Sequence, residues 1–439
     1  MRSVNICVVG VGYVGLVTGA CFAEFGIRVT CVDNDPEKIK GLKEGRIPIY
    51  EPGLAEIVSK NVKENRLFFT DNLEEGVTHS LVIFIAVGTP ADSKGKADLR
   101  YVKEVAQAIG RTMDGYKLIV TKSTVPVGTG KTIHDIIRKN QKEKLPFDIV
   151  SNPEFLREGS AIEDFMRPNR VVIGAESDQA VAIMKDLYTP LYLIETPFVI
   201  TTVKTAEMIK YASNAFLATK ISFINEMANL CEKVGADVHV VAKGMGLDQR
   251  IGSKFLHPGP GFGGSCFPKD TSALAQLAES QGYHFEIVKS VIRVNQRQRQ
   301  KMVEKICQAV GPLKGKTLGV LGITFKQNTN DIREAPALYI IKKLESLGAR
   351  IRAYDPAGMP EARRVLKKVL FQDDLYDVAK GAEALILVTE WNAFRNIDWT
   401  RMKSLLKRPL VIDLKNMYEP IRMHRLGIKY YCVGRPTLE

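Results

Sequence analysis

The chain has 439 residues, of which 45% are hydrophobic and 25% are charged. This composition is that of a folded globular protein and excludes a disordered or fibrous one, while the length predicts two or three domains of roughly 150 residues. The net charge of +13 admits an anionic partner, but the basic residues are dispersed and form no known nucleic-acid-binding module. We therefore expect no nucleic-acid partner.

The apolar stretches indicate strands and no membrane segment. The longest, residues 81–87 and 382–388, fall well short of the roughly 18 residues that a membrane span needs. The chain enters a strand pattern almost at its first residue, which leaves no room for a secretory signal. We expect a cytoplasmic protein without membrane association.

Residues 4–33 carry the pattern of a dinucleotide-binding βαβ unit. A strand (VNICVV) leads into GVGYVG, in which Gly10, Gly12 and Gly15 form the G-x-G-x-x-G motif, and a helical run and a second strand follow. The glycines permit a tight turn and let backbone N–H groups approach a pyrophosphate. Asp33 ends the second strand, where its carboxylate can bind a ribose and would repel a 2′-phosphate. This pattern predicts an NAD-binding Rossmann domain over residues 1–200.

Further strands are predicted at 81–86, 117–121 and 170–174, and polar loops follow the first two. Ligands of open α/β sheets bind at the carboxyl ends of the strands, so Thr89 and Thr124 are placed to face the cofactor. Ordinary turn chemistry, with threonine beside proline and glycine, is the alternative.

Residues 202–234 predict one helix of about nine turns, because the stretch contains no proline. Its middle is apolar nearly all round, which indicates burial between domains or subunits. Lys210 and Asn214 are four residues apart and share a face; a lysine that snorkels to solvent is the alternative. With a second helix at 287–310, this segment forms a central helical dimerisation and catalytic region, residues 201–310.

The opening pattern returns in the last part of the chain. A strand, a helix that Pro336 begins and a strand that ends in Asp355 repeat the first unit without its phosphate-binding motif, and two more strands follow. This predicts a second Rossmann-like domain over residues 311–439. The predicted fold class is α/β, with two Rossmann-like doubly wound domains joined by a long central helix and a helical dimerisation region.

The seven cysteines include neither a C-x-x-C pair nor a His/Cys cluster with metal-ligand spacing, so we expect no metal site and no disulfide framework. Six lie in apolar strand or helix patterns and are expected to be buried. Cys266 differs because it lies in GFGGSCFPKD, just before a helix that Pro268 begins. The helix N-terminus and the nearby Lys269 both favour a thiolate, the form that a nucleophile needs. A structural cysteine is the alternative.

A thiolate near a nicotinamide site indicates a specific reaction. The sulfur adds to an aldehyde, the thiohemiacetal loses a hydride to NAD⁺, and water cleaves the resulting thioester. An ordinary two-electron dehydrogenase, which needs no such cysteine, and a regulator that only binds NAD and nucleotides remain open alternatives.

Six segments together resemble the UDP-glucose/GDP-mannose dehydrogenase family, and the match runs from Val4 to at least Asp413. They are GFGGSCFPKD, SNPEFLREG, STVPVGTG, KYASNAFLATKISFINE, DQRIGSKFLHPG and ITFKQNTNDIREAPAL. NPEFLREG and NAFLATKISFINE are similar to the members that act on UDP-glucose, although GDP-mannose or another nucleotide sugar remains an alternative. The resemblance implies oxidation of UDP-glucose at C6 to UDP-glucuronate, with two NAD⁺ consumed.

The resemblance also implies the catalytic roles. Cys266 would be the nucleophile, Lys210 and Asn214 would stabilise a developing oxyanion, and Asp270 would orient Lys210 and a water molecule. Further residues are implied to hold the hydrolytic water or to meet both cofactor and substrate: Thr124 and Glu154 for the water, and Glu158 for cofactor and substrate. From the residues alone, a solvated acidic pair is the alternative for Glu154 and Glu158.

Binding residues follow from the same resemblance. It places the following residues against the cofactor: Gly10, Val11, Gly12, Gly15, Asp33, Lys38, Thr89, Thr124, Glu158, Lys269 and Arg333. It places the following against the nucleotide sugar: Glu154, Phe155, Leu156, Arg157, Glu158, Lys210, Asn214, Phe255, Leu256, His257, Pro258, Gly259, Gly263 and Lys326. Arg250 resembles an arginine that reaches the partner's substrate site, which implies a homodimer.

Overall fold

The structure, a computed structural model, describes residues 4–92 and 95–437. The chain forms two compact units, Met1–Ser213 and Asn214–Glu439. One helix, Val203–Val234, begins in the first unit and ends in the second. The predicted domain boundaries near residues 200 and 310 stay predictions.

The first unit contains an eight-stranded sheet in the order β3-β2-β1-β4-β5-β6-β7-β8. Its strands are β1 (Asn5–Val9), β2 (Arg28–Val32), β3 (Leu67–Thr70), β4 (Val82–Ile85), β5 (Lys117–Thr121), β6 (Phe147–Ser151), β7 (Val171–Gly174) and β8 (Phe198–Thr201). Its helices are α1 (Tyr13–Glu24), α2 (Pro36–Lys43), α3 (Leu54–Lys63), α4 (Leu73–Thr78), α5 (Arg100–Thr112), α6 (Thr129–Asn140), α7 (Ala161–Met166) and α8 (Asp178–Leu187). Neighbouring strands are parallel except β6 and β7.

Strands β1 and β4 read as continuous apolar runs because helices cover both faces of the sheet. Alternate residues of β1 enter different cores: Ile6 and Val8 join one buried cluster, and Cys7 and Val9 join another. The strand order reverses between β1 and β4, so a crevice is expected there, at the carboxyl ends of the strands.

The second unit begins within the long helix and contains a six-stranded parallel sheet in the order β11-β10-β9-β12-β13-β14. Its helices are α9 (Val203–Val234), α10 (Val238–Gly246), α11 (Phe267–Ser280), α12 (Glu286–Val310), α13 (Pro336–Ser346), α14 (Met359–Val365), α15 (Trp399–Leu405) and α16 (Pro420–Arg425). Its strands are β9 (Thr317–Leu321), β10 (Arg350–Tyr354), β11 (Leu370–Phe371), β12 (Ala384–Leu387), β13 (Leu410–Asp413) and β14 (Lys429–Cys432).

Both sheets have the Rossmann strand order, 3-2-1-4-5-6, over their first six strands. The predicted α/β fold class with two Rossmann-like domains and a long central helix is confirmed. A dimerisation role for the helical region stays a prediction.

Candidate functional site

The glycine-rich turn after β1 requires glycine at two positions. Gly10 has φ +98°, and a Cβ there would lie 2.9 Å from the Ala86 carbonyl oxygen. A Cβ on Gly15 would lie 1.8 Å from the Gly10 oxygen, so α1 can pack against the turn only without a side chain. A Cβ on Gly12, at the start of α1, would meet nothing within 4 Å, and no side chain caps this helix. The uncapped N-terminus of α1 and the open space beside Gly12 fit a pyrophosphate.

Asp33 follows β2 and is almost buried, with 8% of its surface exposed. Its Oδ2 accepts the Val11 N–H at 2.8 Å, and its Oδ1 accepts the Asp35 N–H at 3.1 Å. The Lys38 Nζ lies 3.0 Å from Oδ1. The structure thus brings Val11, Asp33 and Lys38 together beside the glycine turn, as the cofactor prediction requires. Their contact with a cofactor stays a prediction.

Thr89 and Thr124 lie in the loops after the neighbouring strands β4 and β5. The Thr89 hydroxyl donates to the Thr124 carbonyl oxygen at 2.8 Å, so the two loops are joined directly. Thr89 is buried and Thr124 is half-buried. Both threonines lie at the carboxyl edge of the sheet, where the sequence predicted them.

Glu154 and Lys210 form a buried ion pair in the first unit. The Lys210 Nζ donates to Glu154 Oε1 at 3.0 Å, and the Leu156 N–H donates to Glu154 Oε2 at 2.5 Å. Lys210 Nζ also lies 5.2 Å from the centroid of the Phe155 ring. The alternatives of a solvated Glu154 and a snorkelling Lys210 are therefore wrong. Glu158 is half-buried, and its contact with cofactor and substrate stays a prediction.

Cys266 lies at the N-cap position of α11 and is half-buried, with its Sγ 3.6 Å from Ser265 Oγ. One turn later, the buried Asp270 accepts hydrogen bonds on both carboxylate oxygens. The Asn214 side-chain amide donates to Oδ2 at 2.6 Å, and the Lys269 Nζ donates to Oδ1 at 2.6 Å. The predicted helix start is confirmed, and four predicted residues meet in this cluster. The role of Asp270 in orienting Lys210 stays a prediction.

The other six cysteines are poor nucleophiles, because burial raises the pKa of each thiol. It raises the pKa to about 12 for Cys7, Cys21 and Cys432. The pKa is also raised by burial for Cys31, Cys231 and Cys307. Five of the six are buried as predicted, and Cys307 is half-buried.

Three buried amides hold the glycine-rich loop that precedes Cys266. The Gly259 N–H donates to Asn225 Oδ1 at 2.8 Å, and the Gln298 side-chain amide donates to the Gly259 oxygen at 2.9 Å. Asn295 exchanges two hydrogen bonds with the Phe262 backbone, at 2.8 and 3.0 Å. Sequence reasoning missed these residues. In the sequence, such residues could be recognised as uncharged polar side chains at positions on the buried face of a long helix. Asn225 lies on α9, and Asn295 and Gln298 lie on α12.

The other residues of the second unit that were predicted to bind substrate or cofactor differ in burial and in their contacts. A Cβ on Gly263 would lie 2.3 Å from the Glu334 oxygen, so this glycine permits a close backbone approach. His257 is exposed and Lys326 is half-buried. The guanidinium of Arg333 is engaged by a neighbouring aspartate at 2.8 Å, as is that of Arg250 at 2.6 Å. Contact of these residues with a ligand stays a prediction.

Three family models match successive parts of the chain. They describe the NAD binding domain (residues 4–192), the central domain (204–297) and the UDP binding domain (319–420) of the UDP-glucose/GDP-mannose dehydrogenase family. The chain belongs to the UDP-glucose/GDP-mannose dehydrogenase family. The predicted resemblance, the enzyme class of NAD-dependent dehydrogenases and the cofactor NAD are thereby confirmed, and a UDP-sugar is the class of substrate.

Individual relatives resemble the chain over nearly its full length. UDP-glucose 6-dehydrogenase TuaD of Bacillus subtilis is 52% identical over 99% of this chain and 94% of its own. UDP-glucose 6-dehydrogenase of Rhizobium meliloti is 50% identical over 98% of this chain and 100% of its own. The solved UDP-glucose dehydrogenase of Pyrobaculum islandicum superimposes with a TM-score of 0.92 and 38% identity, covering 99% of this chain and 98% of that one.

Two carboxylates of this family member that the sequence analysis missed hold the loops of the site. The buried Glu51 accepts the Tyr13 hydroxyl, the Gly159 N–H at 2.6 Å and the Ala161 N–H at 2.8 Å, which fixes the loop after Glu158. A glutamate before a Pro-Gly turn gives little signal, because such residues are usually exposed.

The second is Glu207 on α9, which accepts the Gly128 N–H at 2.6 Å and the Gly130 N–H at 2.8 Å. Burial raises the pKa of this carboxyl, and the two N–H bonds partly oppose that rise. Glu207 therefore anchors the start of α6, whose N-cap residue Gly128 lies four residues after Thr124.

No helix within residues 4–92 and 95–437 is both long and apolar enough to cross a membrane. The same residues contain no group of three or more His, Cys, Asp and Glu side chains that could hold a metal ion.

Proposed function

We propose that this chain oxidises UDP-glucose at C6 to UDP-glucuronate through an intermediate bound to Cys266. The 52% and 50% identical relatives are named UDP-glucose 6-dehydrogenases, which supports UDP-glucose over other nucleotide sugars. The observation that carries the cysteine step is the setting of Cys266, a half-buried thiol at a helix N-terminus beside the Asn214–Asp270 pair. The remaining six thiols are disfavoured by the burial that raises their pKa.

NAD⁺, when bound, supplies the hydride acceptor for both oxidations. The proposed holders are the glycine turn for the pyrophosphate and Asp33 for a ribose, because the turn is uncapped and Asp33 lies beside it. Thr89, Thr124, Lys38 and the other residues implied by the family resemblance complete the proposed cofactor contacts.

The chain's own residues supply binding, proton transfer and the nucleophile. In the first oxidation, C6 loses a hydride, and its hydroxyl proton passes through the water held by Thr124 and Glu154 to the Glu154 carboxylate and on to solvent, which yields the aldehyde. The Cys266 thiolate then adds to C6: a carbon–sulfur bond forms and the carbonyl electrons move to oxygen. Lys210 and Asn214 donate hydrogen bonds to this oxyanion, and Asp270 holds the Asn214 amide in place for it.

The second oxidation removes a hydride from C6 of the thiohemiacetal oxyanion, and the electron pair on the oxygen re-forms the carbonyl, leaving a thioester. A water molecule held by Glu154 and Thr124 attacks this carbonyl, Glu154 accepts its proton, and the carbon–sulfur bond breaks to release the thiolate and the carboxylate. Lys210, paired with Glu154 at 3.0 Å, stabilises the developing charge and orients the base.

The stoichiometry of NADH tests the reaction. We expect two NADH per molecule of UDP-glucose consumed, measured by absorbance at 340 nm with the sugar limiting. One NADH per sugar would refute the cysteine-bound mechanism, and no NADH would leave only a binding protein. A parallel assay with GDP-mannose should show much slower turnover, and a faster rate would reassign the substrate.

Replacing Cys266 with serine tests the nucleophile. We expect kcat to fall by about 10³-fold or more, because a serine hydroxyl is a far weaker nucleophile at neutral pH. Cys307→Ser is the matched control, since this thiol is also half-buried but its pKa is raised by burial. It should keep near-normal turnover. Equal activity of both variants would indicate ordinary two-electron chemistry.

We further propose that the chain forms a homodimer through α9, with Arg250 reaching the partner's site. Phe216, Phe223 and Leu230 are exposed apolar side chains spaced seven residues apart, so they share one face of this helix. Arg250 is available for such a contact, because its side chain is 89% exposed. An exposed apolar stripe of this kind favours a protein partner.

Light scattering after size exclusion tests the dimer. Phe223→Asp should convert the dimer to a monomer, whereas Ile421→Asp, an exposed position on α16, should not. Mixing protomers that carry Cys266→Ser with protomers that carry Arg250→Ala should restore roughly a quarter of normal activity, because each mixed dimer then has one complete site. No recovery would refute the shared site.

The cytoplasm is the location that we propose. None of the seven cysteines, all of which lie among the described residues, forms a disulfide, which is typical of proteins in reducing compartments. Recovery of the native enzyme in the membrane or external fraction would contradict this location.

A further inference from the structure

Lys122 follows β5 directly and lies two residues before Thr124, yet its side chain is only 4% exposed. The Nζ donates to Asn152 Oδ1 at 2.9 Å and to the Tyr188 hydroxyl at 3.2 Å. It also lies 5.9 Å from the centroid of the Phe165 ring. The direct partners of this buried amine, among the residues that the structure describes, are therefore neutral.

The polar groups around the Lys122 amine have hydrogen bonds that do not involve it. The Tyr188 hydroxyl already donates to Asn152 Oδ1 at 2.7 Å, and the Asn152 amide donates to the Val172 oxygen at 2.8 Å. Asn152 would keep a donor and an acceptor without Lys122. Burial of an ammonium group without an ion-pair partner costs free energy. Packing and hydrogen bonding therefore give no structural reason for a lysine here.

The charged groups that act on Lys122 belong to the proposed catalytic set. Burial lowers its pKa from 10.5 to about 7, Glu154 opposes that change, and Lys210 reinforces it. Two other charged side chains, Asp164 and Arg170, border the same cavity as Lys122 and Glu154. The cavity holds about 50 Å³, which admits a water molecule that can carry a proton away.

The charges that border the cavity are otherwise engaged. Asp164 accepts the Arg157 guanidinium at 2.6 Å, and the Arg170 guanidinium lies 3.4 Å from the centroid of the Phe155 ring. Lys122 lines the same cavity as Glu154, and burial brings its pKa to about 7, so its charge can change near neutral pH beside the buried pair of Glu154 and Lys210.

We propose that Lys122 is a positioning residue that acts through Glu154: loss of its proton removes a positive charge beside that carboxylate and makes it a stronger base. This proposal rests on the proposed function, in which Glu154 accepts the proton of the hydrolytic water. As the pH rises through neutrality, the Lys122 ammonium releases its proton to solvent. The Glu154 carboxylate then accepts the proton of the hydrolytic water without an opposing ammonium charge beside it, and thioester hydrolysis accelerates.

The pH profile of kcat tests this role. Between pH 6 and 9, wild-type kcat should rise roughly tenfold with an inflection near 7. Lys122→Met, which is neutral at every pH, should lack this rise while its KM for UDP-glucose stays within about twofold of wild type. An unchanged inflection in Lys122→Met would overturn the proposal. If Lys122→Met folds poorly, Lys122→Gln serves as a second neutral variant. It should likewise lack the rise in kcat.

Tyr188→Phe is the matched variant, because it keeps the lysine but removes an acceptor of the amine. The ammonium form then loses a hydrogen bond, so the inflection should persist and move to lower pH. If kcat of Tyr188→Phe does not change with pH, the pH dependence would be due to the packing of Lys122, Asn152 and Tyr188. That result would contradict a role for the Lys122 charge.

A measurement without substrate separates this proposal from the proposed function. In protein labelled with ¹³C at lysine Cε, one resonance that is absent from Lys122→Met should titrate near pH 7. A midpoint near 10.5 would overturn the proposal even in an enzyme that makes two NADH per sugar. Failure to make NADH from any nucleotide sugar would instead refute the proposed function and this role with it.

Discussion

The two sheets share one order over their first six strands but use the aspartate after their second strand in opposite ways. Asp33, after β2, is held by the Val11 and Asp35 N–H groups and by the Lys38 ammonium, and it keeps some contact with solvent. Asp355, after β10, is completely buried. The same position in the fold thus leaves a carboxylate in partial contact with solvent in one unit and encloses it in the other.

The partners of Asp355 explain the difference. Its oxygens accept the Ile323 and Thr324 N–H groups at 2.7 and 3.0 Å, the Gly358 N–H at 2.8 Å and the Trp391 indole N–H at 3.2 Å. These bonds close the loop after β9, where the first unit has its open glycine turn. A Rossmann strand order therefore does not establish a dinucleotide site, and the hydrogen bonds of the carboxylate decide whether a ribose can compete for it.

The largest effect should follow from Asp355→Ala. Removing this carboxylate leaves several buried donors without an acceptor, so the free energy of unfolding should fall by at least about 3 kcal/mol. Urea unfolding measures the loss. Asp373→Ala, at an exposed position of the same unit, is the control and should change the unfolding free energy by less than about 0.5 kcal/mol. A small effect of Asp355→Ala would contradict its structural role.

Asp33→Ala should have a small effect on stability and a large effect on NAD affinity. Two of its three donors, Asp35 and Lys38, lie closer to solvent, so the unfolding free energy should fall by only about 1 kcal/mol. Affinity for NAD should fall about 10- to 100-fold, because a hydrogen bond to a charged group contributes about 1.5–3 kcal/mol. Titration calorimetry measures the affinity. Unchanged NAD affinity in Asp33→Ala would contradict a role for Asp33 in binding the cofactor.

The two sheets also differ after their fifth strands, where the first has Lys122 and the second has Asp413 at the end of β13. Burial lowers the pKa of Lys122 to about 7 and raises the pKa of Asp413. Between pH 7 and 10.5 the unfolded chain binds the Lys122 proton and the folded chain does not, so stability should rise with pH by up to about 1.4 kcal/mol per pH unit. For Asp413 the folded chain binds the proton more tightly, so stability should fall as pH rises above about 3.8.

Urea unfolding between pH 7 and 9.5 checks the Lys122 contribution. Lys122→Met should reduce the slope of stability against pH, whereas Lys380→Met, an exposed lysine, should not. An identical slope in Lys122→Met and wild type would contradict a folded-state pKa near 7.

Gly12→Ala should have the smallest effect on stability. A Cβ at this position meets nothing within 4 Å, so the unfolding free energy should change by less than roughly 0.5 kcal/mol. NAD affinity should nevertheless fall if the open space receives the pyrophosphate. Gly15→Ala is the contrasting variant and should be strongly destabilising, since its Cβ would overlap the Gly10 oxygen. Equal stability of the two variants would contradict this account of the turn.

Elements with a strong pattern were predictable, and some short strands were missed. The predicted helix at 202–234 corresponds to α9, and the predicted strands at 81–86 and 117–121 correspond to β4 and β5. Strands β3, β6, β8, β11 and β14 were not predicted. They have two to five residues each, and runs of that length do not by themselves distinguish a strand from other buried structure.

The site was predictable where a motif restricts the backbone or where residues are close in sequence. The glycine turn, Asp33 and the start of α11 at Cys266 belong to this group. Glu51, Glu207 and Lys122 do not, because isolated charged residues are usually exposed and only long-range packing buried them.

The sequence by itself determined the two Rossmann-like units, the long helix, the cofactor turn and the family, because apolar periodicity and glycine requirements act over short stretches of chain. Only the tertiary structure decided which charged side chains are buried and which groups they contact. The Lys210–Glu154 pair joins residues 56 positions apart, and Asn214 and Asp270 are separated by the same distance. Burial and hydrogen bonding between distant segments therefore distinguish the enclosed Asp355 from the partly exposed Asp33.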